Sequence, residues 1–412
     1  MTTPAMPHTP DGPRLDAEPA EPFTDIKRRA ISAILGAREE ITALSHRIHA
    51  NPEPAFEERR AATWVAEAVA RHGYAVEHPA GTLETAVRGR LAGGRGGQRP
   101  RIGILAEYDA LPGLGHGCGH NTMAASGVAA AIGLAAVAAD LPGEIVFLGT
   151  PAEEYGSGKQ VMIDDGLLAG LDAALLFHPA SSTYVQCRLL ACEDVEVTFT
   201  GRPSHAASDP WEGLNALDAM VMLLNGIALW RQQLRPSARV HGIVREGGTA
   251  ANIIPARTVG RFMIRTADES EFGEMRKRFA TLVDAAAAAT GCQGEAAFSG
   301  GSSTMLHNSV VGGRFAAQMA AHGLPDGPPD PAPGSSDMGN VSQLLPTIHP
   351  QIAICAADVP GHTIEFRDAA RTARADEVTL LAGILVAETA IELLADPGLV
   401  DAAWQEYHAH DD

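Results

Sequence analysis

The sequence predicts a two-domain α/β protein: a mostly parallel sheet with helices on both faces, and a smaller inserted domain of ferredoxin-like βαββαβ order. Strand-like and helix-like runs alternate over residues 102–177, which is typical of a parallel sheet. From residue 192 apolar residues recur at every second position, which indicates a half-buried antiparallel strand. The chain of 412 residues is also longer than one ordinary hydrophobic core supports.

The large domain begins with two predicted helices. Apolar residues at helical spacing predict the first over residues 25–48, followed by Asn51 and Pro52 as a stop signal, and the second over 56–72. The sheet follows these helices. Its predicted elements are strands 75–77, 85–91, 102–106, 144–149 and 173–177, with helices 123–139 and 158–168 between the later strands.

The inserted domain shows the element order of a ferredoxin-like fold. Val195, Val197 and Phe199 alternate with polar residues in its first strand, so one face of that strand is expected to be buried. The predicted elements are strand 192–200, helix 213–231, strands 239–244 and 256–265, helix 270–290 and strand 295–299.

After the insert the large domain resumes, with a helix over 310–322, a strand over 351–354 and a closing helix over 375–394. Residues 1–22 are rich in proline and acidic residues, and we expect a disordered tail there. The predicted domains are therefore a tail at 1–22, a large domain at 23–190 and 303–412, and an insert at 191–302.

The composition excludes several classes of partner. A formal net charge of −19 argues against nucleic acid or an anionic membrane, because both select basic surfaces. We expect no apolar run that reaches membrane-spanning length. The five cysteines are odd in number and scattered, so they form no disulfide framework, and we expect a reducing cytoplasm.

Chemically reactive side chains follow three successive predicted strands. Cys118 and His120 come after the strand at 102–106, Glu153 and Glu154 after the strand at 144–149, and His178 after the strand at 173–177. Each has an ordinary explanation by itself, as a buried thiol, an exposed acidic turn or a packed imidazole. Because functional groups gather at the carboxyl ends of parallel strands, their succession favours a metal site.

Further candidates lie in loops of small residues. His205 stands in the Gly/Pro loop at 201–207, where a functional role and simple exposure compete. Asn252 lies in the polar loop at 247–255, whose glycines also suit a turn. His362 follows Pro360 and Gly361, and a surface turn would explain it as well.

Together these segments resemble the dinuclear-metal amidohydrolases and peptidases, a family that includes glutamate carboxypeptidase, plant auxin-conjugate hydrolases and bacterial aminoacylases. The motifs AEYDALPG, GCGHNTMA, GTPAEE, GRPSHAA and PGHTIEF occur in this order. The sequences CGHN, GTPAEEYGSGK and GSSDMGNVSQ are most similar to the branch that contains p-aminobenzoyl-glutamate hydrolase and the β-alanyl-lysine-type dipeptidases.

The resemblance implies hydrolysis of an amide bond in small N-acyl amino acids, p-aminobenzoyl-glutamate-like conjugates or dipeptides. It implies two divalent ions per chain, Zn²⁺ or Mn²⁺ and also Co²⁺, with Glu153 as the general base for a water that bridges them. The implied metal ligands are Cys118, His120, Glu154, His178 and His362.

The resemblance also implies that the insert is a lid through which two chains form a homodimer. His205 from the partner's lid would polarise the scissile carbonyl, and Asn252 and Arg265 would contact the substrate. Glu107 and Asp109 occupy the place of a His-x-Asp pair in more distant relatives. Ligation by Glu107 therefore stays open, whereas Asp109 is expected to orient a ligand.

Two alternatives stay open at this level. The first is a general aminoacylase or auxin-conjugate hydrolase, which would use the same chemistry. The second is a non-catalytic partner subunit that binds metal. A metalloprotease of the HExxH type and a deaminase-type zinc site are excluded, because neither motif is present.

Overall fold

The computed structural model describes residues 13–329 and 334–410, which divide into two compact units. The large unit lies within Met1–Arg188, Leu306–Ala332 and Asn340–Asp412, and the small unit within Leu189–Met305 and Pro333–Gly339. The strands are β1 (Ala75–Glu77), β2 (Val87–Ala92), β3 (Arg101–Glu107), β4 (Glu144–Thr150), β5 (Ala173–Leu175), β6 (His178–Ala180), β7 (Ala191–Thr200), β8 (Arg239–Glu246), β9 (Arg257–Thr266), β10 (Gln293–Ser302), β11 (Thr347–Ile348) and β12 (Gln351–Ala353).

The α-helices lie before, between and after these strands. They are α1 (Thr24–Gly36), α2 (Arg38–His49), α3 (Arg59–Arg71), α4 (His120–Val137), α5 (Gly158–Asp164), α6 (Ala216–Trp230), α7 (Glu269–Thr290), α8 (Ser309–Ala321), α9 (Met338–Ser342), α10 (Ile364–Ala369), α11 (Ala373–Ala395) and α12 (Pro397–His408).

The large unit is built on a six-stranded sheet with the order β1-β2-β4-β3-β5-β11. β3 runs parallel to β4 and β5, and β5 runs parallel to β11, whereas β1 and β2 form an antiparallel edge. β6 and β12 form a separate parallel pair. The mostly parallel α/β sheet predicted from the sequence is confirmed.

The centre of the large unit is formed by α4 and α11, which pack against each other and against β3. Small residues allow this close approach: a Cβ on Gly383 would lie 2.5 Å from that of Ala129, and one on Gly127 would lie 2.8 Å from that of Ala106. Both helices are buried along most of their length.

This burial corrects one sequence expectation. The segments His120–Asp140 and Ala373–Ala395 are long and apolar enough to cross a membrane, contrary to the prediction that no run reaches that length. Their most apolar windows are 83% and 94% buried inside the protein. The apolar composition is thus accounted for by the core position of the two helices.

Two further predictions for the large unit differ from the structure. The predicted helix 25–48 is two helices, α1 and α2, which are separated at Ala37. The helix predicted to close the chain is followed by α12. Asp396 caps α12 by accepting the Gly398 N–H at 2.9 Å, and Pro397 occupies its first turn, a start signal that the sequence contained.

The predicted tail at 1–22 is too long. Residues 1–12 lie outside the described residues, but from residue 13 the chain lies against the large unit. The Arg14 N–H donates to the His322 carbonyl at 3.0 Å, and the Ala20 N–H donates to the Gln318 side chain at 3.2 Å. These hydrogen bonds to the end of α8 order a segment whose composition by itself indicates disorder.

The small unit contains the four-stranded antiparallel sheet β10-β7-β9-β8, with α6 and α7 packed on it. Along the chain the order is β7-α6-β8-β9-α7-β10, so the predicted ferredoxin-like βαββαβ insert is confirmed. Val195, Val197 and Phe199 are buried in its core with Phe262 and Phe279, as their alternation predicts. Each such side chain contributes about 1.5–3 kcal/mol to folding.

Candidate metal centre

The polar loops of the large unit meet beyond the carboxyl ends of β3 and β4. The loop after β3 carries Cys118 and leads into α4, whose first residue is His120. Gly119 precedes this helix with φ of 81°, a left-handed conformation that glycine adopts without strain. The sharp turn at Gly119 lets a thiol and an imidazole two residues apart face the same side.

Cys118, His120 and His178 form a first group of possible metal ligands. One ligand atom from each residue lies within 4.8 Å of the others, and Cys118 Sγ is 3.6 Å from His178 Nε2. His178 Nδ1 donates to the Pro179 carbonyl at 2.6 Å, which leaves the lone pair of Nε2 facing Cys118. Burial and the neighbouring His349 lower the pKa of His178 to about 3, so the ring is in its neutral, metal-binding form.

His120 is held in place by a carboxylate. Its Nδ1 donates to the carbonyl and to Oδ1 of Asp109, each at 3.0 Å, so its Nε2 points away from Asp109. This Nε2 atom is buried and has no hydrogen-bond partner among the described residues. Burial disfavours the imidazolium, but Cys118 and Asp109 outweigh it and raise the pKa of His120 well above its usual range. A bound cation would take the place of that proton.

Cys118, Glu154 and His362 form a second group within the same 4.8 Å limit. His362 Nε2 lies 3.5 Å from Glu154 Oε2, while Glu154 Oε1 is buried without a hydrogen-bond partner in the described chain. The His362 N–H donates to the Gly117 carbonyl at 2.9 Å, and His362 has φ of 61°, which is strained for a residue with a Cβ. This contact ties the distant PGH loop to the loop that carries Cys118.

Cys118 belongs to both groups. Burial and the charge of Glu154 raise the pKa of its thiol, so the thiolate needs a nearby cation. A sulfur atom shared by two groups of ligands can bind an ion on each side. The structure thus brings all five predicted ligands together, and their role as ligands stays a prediction.

A third group consists of Glu107, His120 and Glu153, again within 4.8 Å. Glu107 Oε2 lies 3.4 Å from His120 Nε2, and Glu107 Oε1 accepts a hydrogen bond from Lys159 Nζ at 2.5 Å. Burial alone would raise the pKa of Glu107, but the charges of Lys159 and His120 lower it to about 2. Glu107 is therefore a carboxylate beside the predicted ligands.

Two buried acidic side chains hold the backbone of the loop that carries Glu153 and Glu154. Ala152 has φ of 58°, and its N–H donates to Oε1 of the buried Glu58 at 2.8 Å. The Glu154 N–H donates to Asp109 Oδ2 at 3.0 Å. These two side chains hold the backbone on either side of Glu153.

Sequence reasoning missed Glu58 and Lys159. Glu58 belongs to the HANPEPAFEE stretch, but nothing local distinguishes it from its exposed neighbour Glu57. Lys159 ends the GSGK sequence, where the first helical turn of α5 places it. Only the contact of this loop with β3 shows that Lys159 reaches Glu107.

The other predicted site residues lie in the small unit. His205 and Asn252 are exposed on neighbouring loops that are joined by a hydrogen bond from the Ala206 N–H to the Asn252 carbonyl at 3.0 Å. Arg265 is half-buried on β9, and its Nη2 lies 2.7 Å from the Met263 sulfur. The roles of these three residues stay predictions.

Comparison with known proteins identifies the family to which this chain belongs. The model of peptidase family M20/M25/M40 matches residues 103–363. The chain is 36% identical to the Xaa-Arg dipeptidase of Mus musculus, over 94% of this chain and 95% of the relative. It is 27% identical to one of the subunits of p-aminobenzoyl-glutamate hydrolase of Escherichia coli, over 93% of this chain and 95% of the relative.

Solved structures also share the fold, and two of them are informative. One is an aminobenzoyl-glutamate utilization protein from Klebsiella pneumoniae, with a TM-score of 0.70 and 19% identity over 88% of this chain and 97% of that one. The other, from Bacillus subtilis, is described as a dinuclear metal binding peptidase from the M20 family. Its TM-score is 0.66 at 19% identity, over 87% of this chain and 99% of that one. The chain therefore belongs to peptidase family M20/M25/M40 and is a metallo-hydrolase of carbon–nitrogen bonds.

Proposed function

We propose that this protein uses two divalent metal ions to hydrolyse the amide bond of dipeptides and related small N-acyl amino acids. The observation that carries the proposal is the pair of ligand groups, Cys118–His120–His178 and Cys118–Glu154–His362, which share Cys118. A non-catalytic metal-binding protein would need only the ligands. Here Glu153 is also placed beside them, within 4.8 Å of His120 in the third group.

The donor atoms fit such ions. His120 Nε2 and Glu154 Oε1 are buried polar atoms without hydrogen-bond partners among the described residues, which is costly unless a cation binds them. Thiolate, imidazole and carboxylate together suit Zn²⁺, and the nitrogen and oxygen ligands also suit Mn²⁺ and Co²⁺. Two such ions, when bound, would polarise the scissile amide and make a water more acidic.

Glu153 is the proposed general base. It is half-buried, and the flanking backbone is held by Glu58 and Asp109. Its carboxylate would accept a proton from the attacking water and pass that proton to the leaving amine. Glu154, its neighbour in sequence, would bind metal instead.

His205 is the proposed donor to the developing oxyanion. Its Nδ1 accepts hydrogen bonds from the N–H groups of Ala207 at 3.2 Å and Ser208 at 3.1 Å. The ring proton is therefore on Nε2, which makes exposed Nε2 a hydrogen-bond donor. We propose that Asn252, on the adjacent loop, contacts the substrate and that the Arg265 guanidinium binds a substrate carboxylate.

The small unit is proposed to form a homodimer, so that His205 acts in the partner's site. β8 is one of the two outer strands of its sheet, and Ile243 on this strand is 64% exposed. On α6, Leu229 is 70% exposed and Val221 and Met222 are exposed as well. An edge strand and a helix with exposed apolar side chains are suited to contact with a second copy.

A cytoplasmic location is proposed from the cysteine chemistry. All five cysteines lie within the described residues, and none of them forms a disulfide bond there. Cysteines that remain as thiols are typical of proteins in a reducing compartment. This observation supports the location expected from the sequence.

For the substrate, we propose first a dipeptide with a basic C-terminal residue, because relatives at 36% and 35% identity are described as Xaa-Arg dipeptidases. A p-aminobenzoyl-glutamate-like conjugate is the second class, because of the similarity to p-aminobenzoyl-glutamate hydrolase. A general aminoacylase would instead prefer acetyl and longer acyl amino acids.

The test combines elemental analysis with a substrate panel containing Xaa-Arg and Xaa-Lys dipeptides, p-aminobenzoyl-glutamate and acyl amino acids, in added Zn²⁺ or Mn²⁺. We expect about two ions per chain and turnover that a chelator abolishes. Cys118→Ser should lose both ions, because Cys118 belongs to both groups, whereas His362→Ala should lose one. Two ions without turnover on any substrate would favour the non-catalytic protein. A protein without metal would contradict the proposal.

A further inference from the structure

Lys159 and Glu107 form an ion pair beside the predicted metal ligands, and both side chains are 0% exposed. Burying two charges costs free energy, so a pair in this position calls for an explanation beyond folding stability. Lys159 lies in the first turn of α5. A Cβ on the preceding residue, Gly158, would collide with the Pro151 carbonyl. Glycine there brings the turn close to the loop that carries Glu153 and directs the ammonium group towards the end of β3.

The ammonium group occupies one side of the third ligand group. Glu107 Oε1 is bonded to Lys159, while Glu107 Oε2 is buried, has no hydrogen-bond partner among the described residues and lies 3.4 Å from His120 Nε2. Glu107, His120 and Glu153 meet the same distance condition as the two groups that share Cys118. His120 Nε2 can bind only one ion, and it already belongs to the first group. Without Lys159, the carboxylates of Glu107 and Glu153 would therefore offer a further position for a cation.

Lys159 supplies a positive charge to a cluster of acidic groups. The anionic groups are the Cys118 thiolate and four carboxylates, those of Glu107, Asp109, Glu153 and Glu154. Two divalent ions and one ammonium group supply the same number of positive charges. A buried cluster is most stable when its charges are compensated.

Building on the proposed metal function, we infer that Lys159 is a fixed cation which compensates Glu107 and thereby confines divalent-ion binding to the two groups that share Cys118. In this role Lys159 is a positioning residue that sets how many ions the centre holds.

The experiment is a calorimetric titration of the metal-free protein with Mn²⁺, with elemental analysis of the loaded protein. Lys159→Met should bind one additional Mn²⁺ per chain, because Glu107 is left uncompensated. Glu107→Gln should bind Mn²⁺ about ten-fold or more weakly, because the ammonium charge then repels the ions. The double variant Lys159→Met/Glu107→Gln should return to the wild-type stoichiometry and affinity.

Lys27 provides a matched control. It forms an equally buried pair with Glu392, far along the chain from the predicted ligands, and Arg314 also contacts Glu392. Lys27→Met should therefore leave the number of bound ions unchanged. An additional ion in Lys27→Met as well would show a non-specific effect and overturn the inference.

The outcomes separate this inference from the proposed function. Two ions in the wild type and two in folded Lys159→Met would overturn the inference and leave the metal function intact. If Lys159→Met does not fold, comparison of Glu107→Gln with the double variant tests the inference instead. Recovery in the double variant supports compensation, and a double variant as weak as Glu107→Gln would show that Glu107 is itself a ligand. A wild type that binds no Mn²⁺ would contradict both proposals.

Discussion

The large and small units present their candidate residues in opposite ways. In the large unit the candidates come from segments far apart in the chain, and their ligand atoms lie within 4.8 Å of one another, partly without protein partners among the described residues. In the small unit His205 and Asn252 are exposed on two loops that hydrogen-bond to each other. The large unit thus brings all the predicted metal ligands together, whereas the proposed hydrogen-bond donors of the small unit need a substrate or another surface to act on.

This difference separates two kinds of function. Buried ligands that are already in position can bind a cation without reorganising the chain. Exposed donors contribute only when a substrate or another surface approaches them. Variants in the large unit should therefore change metal binding or proton transfer, and variants in the small unit should change turnover while leaving the metal in place.

The largest effect is expected for Glu153→Gln. The variant keeps the size of the side chain but cannot accept a proton, so turnover should fall by about 10²–10⁴-fold. Its metal content should stay at the wild-type level, as measured by elemental analysis beside steady-state kinetics. Glu154→Gln is the matched comparison, and it should lose metal. Full activity in Glu153→Gln would exclude this residue as the base.

His205→Ala should lower kcat by about 10²–10³-fold, the size of effect expected for one oxyanion donor. The number of bound ions should not change, because His205 lies in the small unit. His205→Gln keeps an N–H donor and should recover part of the loss. Loss of metal in His205→Ala would contradict the proposal that residues of the small unit affect turnover but not metal binding.

Mixing His205→Ala with Glu153→Gln protein tests whether the units of two chains cooperate. If the subunits exchange at random, half of the dimers contain one chain of each variant. When His205 acts across the dimer, one of the two sites in such a hybrid has both Glu153 and His205 intact. We therefore expect recovery to about a quarter of the wild-type activity. Turnover no higher than that of the separate variants would show that His205 acts within its own chain.

The smallest effect concerns stability and its dependence on pH. Burial and the charge of Asp109 raise the pKa of Glu58 from 4.5 to about 7 in the folded protein. The folded state therefore holds this proton more tightly than the unfolded state. The stabilisation is complete below pH 4.5 and is lost as the pH rises through 7.

Glu58→Gln removes this titration. Relative to the wild type, its free energy of unfolding should rise by up to about 3 kcal/mol between pH 4.5 and 8, because one pKa unit corresponds to about 1.4 kcal/mol. Urea unfolding of both proteins across this range measures the difference. Glu57→Gln, the same change at an exposed neighbour, should show no such trend. A parallel pH profile for Glu58→Gln and the wild type would contradict the assignment.

Periodicity in the sequence was sufficient to predict most helices and strands. Motif spacing was sufficient to predict which residues meet in the large unit. Strand 75–77 agrees with β1, and helix 270–290 agrees with α7 within one residue. The split at Ala37 was not predicted, because the apolar spacing continues through the break. Glu58 and Lys159 were missed for a different reason: each acts on a residue far away in sequence, Ala152 and Glu107 respectively.

The sequence by itself determined the fold class and the residue types available at the strand ends, because side-chain periodicity and turn residues are local properties of the chain. Only the tertiary structure decided which atoms meet. It put Cys118 in two ligand groups and set Glu107 between His120 and Lys159. Such distances depend on how loops from separate strands pack over one sheet edge, and no local pattern encodes that packing.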